Sequence, residues 1–416
     1  MAYDADEIRQ RQLKRRQERK RQQELKRRKI RKIALAVVAV VTVLGLGALV
    51  ASLVRHVSEP KPTDAPTTPI QSVMEPETVI TLAFGGDVNV TDKVVSLKDY
   101  KTLFMDTAPL FAGSDSAAVN FEGNLCGGTY GTDGTRAPME LAQALASAGV
   151  DLMQIANSCT INNGLLGLTE TVNSIRDAGM EPLGAYESAE EAEKYKGFTL
   201  RSIGGVKVAF VAFTKGMDNM AMPEGSEGRV NLLYKDYTST YQEIDKDGIK
   251  QLLQAVEREN PDITVAMLHW GSEYNNQISQ SQKDIVELMQ KEGVDAIVGT
   301  HSHYVQKLEY DKDAGTVVAY SLGDLLGDGD KEGTAYSIVL QLEITKDNIN
   351  GTAKITDMRY VPVYNVRTVT ETGTTMQLLR IEEAMAAYEA NSINKVSYET
   401  YTAMKNALSR IRSRVE

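Results

Sequence analysis

The sequence contains little cysteine and little histidine, and both shortages limit what the protein can be. Two cysteines in 416 residues exclude a disulfide-dense scaffold. A hydrophobic content of 42% excludes a wholly disordered chain, and 32 glycines with 11 prolines are far too few for a collagen-like one. Since there are only four histidines, their positions carry unusual weight. The composition is that of a globular protein with a sizeable core.

One segment lacks charge altogether. Residues 33–54 are an apolar run of 22 residues, and a helix of that length, rising about 1.5 Å per residue, crosses a hydrocarbon core of about 30 Å. Residues 1–32 before it carry 14 Lys and Arg, whereas Arg55 and Lys61 are the first basic residues after it. The positive-inside rule therefore predicts a cytoplasmic tail, a transmembrane helix and an extracytoplasmic remainder. A cleaved signal peptide is the alternative, although its apolar region is usually only about 7–15 residues long.

The charge of the chain divides at the same place. Residues 1–32 have a net charge of +9, and residues 33–416 have a net charge of −19. The acidic body argues against a nucleic-acid partner. The basic tail is expected to face anionic lipid headgroups, or to serve only to orient the membrane helix.

Proline is concentrated in one stretch. Five of the eleven prolines lie in residues 55–77, which predicts a semi-extended linker. From residue 78 to 363, short apolar runs alternate with helical patterns, which predicts one α/β domain with a largely parallel sheet and an antiparallel addition at its end. Residues 364–416 are interpreted as a C-terminal helical appendage, with helices at Thr375–Ala390 and Tyr398–Ile411.

Polar residues follow several predicted strands, and the carboxyl ends of strands are where α/β sheets bind ligands. All three histidines beyond His56 lie at such ends, together with two carboxylates. These residues are Asp87, Glu122, His269, His301 and His303. Carboxylates with imidazoles suit Zn, Mn or Fe. On an extended segment the two histidines of H-x-H point the same way, so they are expected to face one cation. The alternative is that each histidine caps a strand end through an ordinary hydrogen bond.

Six motifs in this part of the chain occur in an order that resembles a known family. They read F-G-G-D-V, V-N-F-E-G-N, A-N-S-C-x-x-N-N-G, L-H-W-G-S-E-Y, G-T-H-S-H-Y-V-Q and Y-S-L-G-D-L. Their order is similar to that in the CapA family of capsule and poly-γ-glutamate synthesis proteins, which is related to calcineurin-like metallophosphoesterases. The resemblance implies a metallophosphoesterase-like β-sandwich flanked by helices, here preceded by one transmembrane helix. It also implies a divalent metal site at the five residues just named.

One block departs from the family pattern. Where the family reads A-N-N-H, this chain has Asn157, Ser158 and Cys159 after Ala156, and Asp324 stands where the last block usually has Asn. In the related phosphoesterases the Asn-His pair supplies a metal ligand and a proton donor, roles for which Ser and Cys are poorly suited. The departure argues against a two-metal mechanism and leaves a single-metal site open.

Further residues are expected around the pocket. They are Asn89, Asn157, Ser158, Cys159, Trp270, Glu273 and Asp324. Trp270 could stack on a sugar or peptide chain, although packing is the commoner role of such a residue. The fold that the resemblance implies would bring Cys126 and Cys159 to one rim, where an exported domain permits a disulfide. Two unrelated thiols are the alternative.

Three functions are consistent with these features. The first is a membrane-anchored, extracytoplasmic factor in the synthesis or export of capsule or poly-γ-glutamate, with a metal-dependent hydrolytic or transfer step. Its expected partners are the bilayer, a membrane-embedded polymer synthase, and an anionic polymer or phosphoester. The second is a non-catalytic binding or scaffold domain with a degenerate metal site. The third is a generic extracytoplasmic metallophosphoesterase.

Overall fold

The computed structural model describes residues 75–97, 99–370, 373–393 and 395–415. The predicted tail, the predicted membrane helix and residues 55–74 of the predicted linker lie outside these ranges. Among the described residues, no helix combines the length and the apolar character that a membrane crossing requires.

The first sheet is mixed. Its strands are β1 (Glu77–Asn89), β2 (Ser116–Glu122), β3 (Leu152–Gln154), β4 (Glu181–Leu183), β11 (Asp324–Leu326), β12 (Tyr336–Asp347), β13 (Thr352–Thr370) and β14 (Gly373–Arg380). They run in the order β14-β13-β12-β1-β2-β3-β4, and β11 pairs with the end of β1. Strands β1 to β4 are parallel. Strands β12 to β14 continue the sheet antiparallel, which confirms the predicted antiparallel addition.

The second sheet has a parallel centre and antiparallel edges. Its strands are β5 (Phe198–Ile203), β6 (Val206–Thr214), β7 (Ile263–His269), β8 (Ala296–Thr300), β9 (Leu308–Asp311) and β10 (Thr316–Ala319). They run in the order β5-β6-β7-β8-β10-β9. The central strands β6, β7, β8 and β10 are parallel, so their carboxyl ends lie at one edge of the sheet.

Helices cover the outer faces of both sheets. The helices are α1 (Asp92–Val95), α2 (Ala108–Ala112), α3 (Met139–Ser147), α4 (Gly164–Asp177), α5 (Ala189–Tyr195), α6 (Lys246–Glu257), α7 (Gln280–Lys291), α8 (Ile381–Glu389) and α9 (Tyr398–Val415), with a short 3₁₀ helix at Glu227–Arg229. Helices α3 and α4 share a core with the first sheet, and α6 and α7 share one with the second. A third core lies between the sheets. The layers are thus helix, sheet, sheet, helix, which confirms the predicted sandwich flanked by helices.

Alternating side chains build the core between the sheets. In β1, Leu82 and Phe84 face the second sheet, whereas Ala83 belongs to the helix-covered side. This is the period of two that a strand imposes. Met404 and Ile411 of α9 also join the core between the sheets.

Aspartates that precede strands help to fix the register. The backbone N–H of Thr264 donates to Asp295 at 2.7 Å, and the N–H of Ala117 donates to Asp151 at 2.9 Å. Each carboxylate thereby satisfies an amide at the start of the neighbouring parallel strand, where the ladder would otherwise leave it unpaired. The strands start in register, and their carboxyl ends therefore meet at a common edge.

The structure alters the reading of the C-terminal part. Strand β13 continues past residue 363 to Thr370, and Gly373–Arg380 is its antiparallel partner. The predicted helix at Thr375–Ala390 is therefore wrong over its first six residues, and the helix begins only at Ile381. Pairing with β13 outweighs the helical propensity of Met376, Gln377 and the two leucines that follow.

Candidate metal centre

Two groups of buried ligating side chains lie at the carboxyl ends of the strands. The Glu122 group consists of Glu122, His269 and His301, and the Asp87 group consists of Asp87, His303 and Asp324. Within each group the candidate ligand atoms lie within 4.8 Å of one another. All six residues are buried, and the most exposed of them, His303, has only 8% of its surface accessible. The structure thus brings together all five sequence-predicted ligands and adds Asp324.

Glycine allows two chain segments to approach closely behind the Asp87 group. A Cβ at Gly86 would lie 1.8 Å from the carbonyl oxygen of Gly323, so no larger residue fits there. The backbone N–H of Asp87 donates to the same carbonyl at 3.0 Å. The register then pairs Asp87 with Asp324. This backbone contact explains why a residue predicted only as part of the pocket joins a ligand group.

The H-x-H segment is not extended. His301 and His303 both have positive φ, +86° and +60°, a conformation that costs a residue with a side chain about 1–3 kcal/mol. Their rings lie 6.4 Å apart, and each belongs to a different group. The prediction that both face one cation from an extended strand is therefore wrong. Strained backbone that persists at two neighbouring histidines is typical of a functional site.

The imidazoles of the Glu122 group fit a divalent cation. Nε2 of His269 and both ring nitrogens of His301 have no hydrogen-bond partner within the part of the chain that the structure describes. Burial lowers the pKa of both histidines, so they are neutral. A buried polar atom without a partner costs about 1–3 kcal/mol. Neutral imidazole nitrogens beside a carboxylate are, however, what Zn, Mn and Fe bind.

The Asp87 group is strongly polar, and the environment raises the pKa of each of its members. Burial and the neighbouring carboxylate of Asp324 raise the pKa of Asp87 to about 6. Burial also raises the pKa of Glu122, as does the charge of Asp87. His303 donates to Asp324 across 2.8 Å; burial opposes its charge, but this hydrogen bond and the surrounding carboxylates raise its pKa to about 10. A divalent cation would replace the proton of His303 as the positive charge beside these carboxylates.

A residue that the sequence reading did not single out lies behind the ligands. The side chain of Asn120 donates to Asp87 at 2.7 Å and accepts from Asn157 at 3.1 Å. Asn157 in turn donates to the backbone carbonyl of Phe121 at 2.7 Å. Such outer contacts orient metal ligands. The signal available in the sequence was an asparagine in an apolar strand, two positions before Glu122.

The block that departs from the family pattern, with Ser158 and Cys159, lies beside the Glu122 group. Ser158 donates its hydroxyl to Glu122 at 3.2 Å, and Cys159 lines the adjoining cleft. Both cysteines are free, so of the two alternatives the structure contradicts the Cys126–Cys159 disulfide and agrees with two unrelated thiols. The reason is their separate surroundings, since Cys126 lines a different cavity beside Glu170.

The other predicted pocket residues divide between cleft and core. Asn89 and Glu273 line the cleft, and Asn89 hydrogen-bonds Asp324. Trp270 is fully buried and donates its indole N–H to the carbonyl of Tyr320 at 2.9 Å. The prediction that Trp270 lines the pocket is therefore wrong, because its ring packs in the helix-covered core of the second sheet.

A cleft of about 410 Å³ gives access to the ligands. Glu122, His303 and Asp324 line it together with Tyr274 and Lys331. A larger cleft, of about 930 Å³, lies elsewhere and contains neither ligand group. The smaller cleft is therefore the candidate active site, because it is lined by the candidate metal ligands.

Comparisons with known proteins agree with the motifs. Residues 81–329 match the family described as Bacterial capsule synthesis protein PGA_cap. The PGA biosynthesis protein CapA of Bacillus subtilis is 26% identical over 287 residues, which cover 66% of this chain and 70% of that protein. The capsule biosynthesis protein CapA of Bacillus anthracis is 27% identical over 216 residues, which cover 51% of this chain and 48% of that protein. Among solved structures, the calcineurin-like phosphoesterase YfkN from Bacillus subtilis aligns at 16% identity with a TM-score of 0.40, over 81% of this chain and all of that one.

The family match extends over more than half of the chain and includes both ligand groups. It confirms the resemblance that the six motifs indicated. The chain belongs to the PGA_cap family of bacterial capsule synthesis proteins.

Proposed function

We propose that this protein is a membrane-anchored, extracytoplasmic factor in the synthesis or export of capsule or poly-γ-glutamate, with a metal-dependent hydrolytic or transfer activity. The observation that carries the activity is the pair of buried ligand groups, in which three imidazole nitrogens have no partner among the described residues. The polymer is inferred from the family and from relatives named for PGA and capsule biosynthesis.

The sequence left only a single-metal site open, but the structure contains two ligand groups, and we therefore propose one divalent cation in each. The donor chemistry suits Mn, Zn or Fe. Glu122, His269 and His301 would hold one, and Asp87, His303 and Asp324 the other. Divalent cations at such a site acidify water and stabilise the negative charge that develops on a phosphoryl or carbonyl oxygen. We infer a metallophosphoesterase-like reaction on a phosphoester or on a bond within an anionic polymer.

The chain's own residues preorganise the site. Asn120 fixes the carboxylate of Asp87 through its side-chain amide, and the backbone N–H of His301 donates to the other Asp87 oxygen at 3.0 Å. Ser158 restrains Glu122. Because these donors already hold the carboxylates, binding a cation requires little rearrangement of the ligands.

The location and partners belong to the same proposal. Residues 33–54 would anchor the protein in the bilayer, with residues 1–32 in the cytoplasm and the sandwich outside. A membrane-embedded polymer synthase is the protein partner that this arrangement favours. The net charge of −19 after residue 32 disfavours tight contact with a polyanion except at bound cations or at a local basic residue.

Hydrolysis by the full chain tests the activity. The purified protein is supplied with Mn²⁺ and assayed on p-nitrophenyl phosphate, bis-p-nitrophenyl phosphate and γ-glutamyl peptides. We expect turnover of at least one substrate that EDTA abolishes and that Asp87→Asn lowers by about 100-fold or more. His56→Ala, at the remaining histidine of the chain, is the matched control and should retain activity. Metal binding without turnover of any substrate would contradict the enzymatic proposal.

A non-catalytic binding or scaffold domain is the second candidate, and the Ser158-Cys159 pair favours it. Burial raises the pKa of the Cys159 thiol far above neutrality, so it exchanges protons poorly at physiological pH. If the chain binds metal but hydrolyses none of the assayed substrates, and Cys159→His does not introduce turnover, the scaffold function is preferred.

A further inference from the structure

Charge is unevenly distributed around the mouth of the cleft. Besides the ligands Glu122 and Asp324, four carboxylates line it, and Lys331 is the single Lys or Arg among the described lining residues. The four are Asp218, Glu273, Asp328 and Asp330. An anionic group entering this cleft would therefore meet one side chain able to attract it before it reached the metal ligands.

Lys331 is connected to the Asp87 group through the Tyr274 ring. Its Nζ is 3.2 Å from the centre of that ring, and the same ring stacks on His303 at 4.7 Å with an angle of 15°. The ammonium and a candidate ligand of the metal centre thus contact the same phenol ring. A group bound to Lys331 would be held next to that centre.

Within the described ranges, the ammonium of Lys331 is not engaged by a carboxylate. The neighbouring Asp330 is paired instead with Lys93 and with Arg367, the latter at 2.8 Å. Asp328 accepts a hydrogen bond from the hydroxyl of Thr91. The ammonium lies instead over the Tyr274 ring. A cation–π contact at an exposed site is worth only about 0.5–1 kcal/mol, so an anion can replace it easily.

The loop that carries Lys331 nevertheless makes contacts with its own backbone and with a helix. The Thr334 hydroxyl donates to the carbonyl of Lys331 at 2.9 Å, and Glu332 pairs with Arg410 of α9 at 2.5 Å. Contacts that hold the backbone beneath the Lys331 side chain reduce the entropy lost when that side chain binds an anion.

We propose that Lys331 is the specificity-determining residue that recognises an anionic group of the substrate, a carboxylate or a phosphate, beside the bond that reacts. The inference rests on the proposed function and extends it to a named residue and a substrate class. It places the negative group on the Asp87 side of the cleft. An uncharged analogue of the same substrate would lack this contact.

Titration with two anions tests the inference on the full chain loaded with Mn²⁺. The probes are inorganic phosphate and γ-glutamylglutamate, measured by isothermal titration calorimetry. We expect at least one probe to bind, Lys331→Gln to weaken its binding about tenfold, and Lys331→Arg to restore most of it. The difference between wild type and Lys331→Gln should shrink at high salt. Lys307→Gln, which removes an exposed lysine paired with Glu309, is the charge-matched control and should leave binding unchanged.

The outcomes separate the inference from the proposal on which it rests. If the wild-type chain takes up no Mn²⁺, the proposed function fails and the inference fails with it. If Mn²⁺ binds but neither anion does, or Lys331→Gln binds both as tightly as the wild type, only the inference is overturned. The probe that loses affinity in Lys331→Gln identifies the anion as carboxylate or phosphate.

Discussion

Replacement of Asn120 by alanine tests how far the metal ligands depend on the residue behind them. The amide of Asn120 donates to the Asp87 carboxylate at 2.7 Å in a site that is fully buried. A hydrogen bond to a charged group contributes about 1.5–3 kcal/mol, and loss of an outer partner of a metal ligand typically lowers metal affinity about 10–100-fold. Asn120→Ala should therefore weaken Mn²⁺ binding by that factor and destabilise the metal-free chain by about 1.5–3 kcal/mol.

Calorimetric titration with Mn²⁺ and urea unfolding of the metal-free chain measure the two effects. Asn173→Ala is the matched control, because among the described residues its side chain donates to the Thr169 carbonyl of its own helix, in an exposed position. Asn120→Asp is a second variant of nearly the same shape. It adds a carboxylate beside Asp87, so it should destabilise the metal-free chain more than alanine does. If Asn120→Ala binds Mn²⁺ as tightly as the Asn173 variant, the reasoning about the outer contacts is refuted.

Two further predictions concern stability and thiols. Burial raises the pKa of Asp295 to about 6. Folding therefore favours the neutral form of Asp295. The free energy of unfolding should be highest below pH 3.8 and should fall by about 3 kcal/mol as the pH rises through 6. Asp295→Asn keeps an acceptor for Thr264, so urea unfolding should show a smaller loss of stability between pH 4 and pH 7; an unchanged pH dependence would count against this assignment. Thiol titration of the denatured, unreduced protein should find both Cys126 and Cys159 reactive, whereas no reactive thiol would indicate a bridge.

The hydrophobic pattern identified most of the fold. Each of the long buried strands of the two sheets shows as an apolar run, and the alternation with helices indicates parallel pairing. Strands β4, β5, β9 and β11 were not predicted; β4, for example, has only three residues, Glu181–Leu183, one of them proline. Strand β14 was not predicted, because its conformation depends on pairing with β13. No local sequence pattern indicates that pairing.

The ligands of the candidate site were predictable because histidine is rare in this chain. What could not be predicted was how they divide into groups. The positive φ of His301 and His303 separates two side chains that an extended H-x-H would direct to one side. Asp324 joins Asp87 through the backbone approach at Gly86, which is a contact between segments far apart in sequence.

The metal content of the full chain tests the central claim most directly. After purification, incubation with Mn²⁺ and removal of free ion, elemental analysis should find two ions per chain. His301→Ala and His303→Ala should each lose one of them, because the two histidines belong to different groups, and His56→Ala should retain both. A wild-type chain without stoichiometric metal after Mn²⁺ or Zn²⁺ addition, or histidine variants that bind as much as the wild type, would contradict the account.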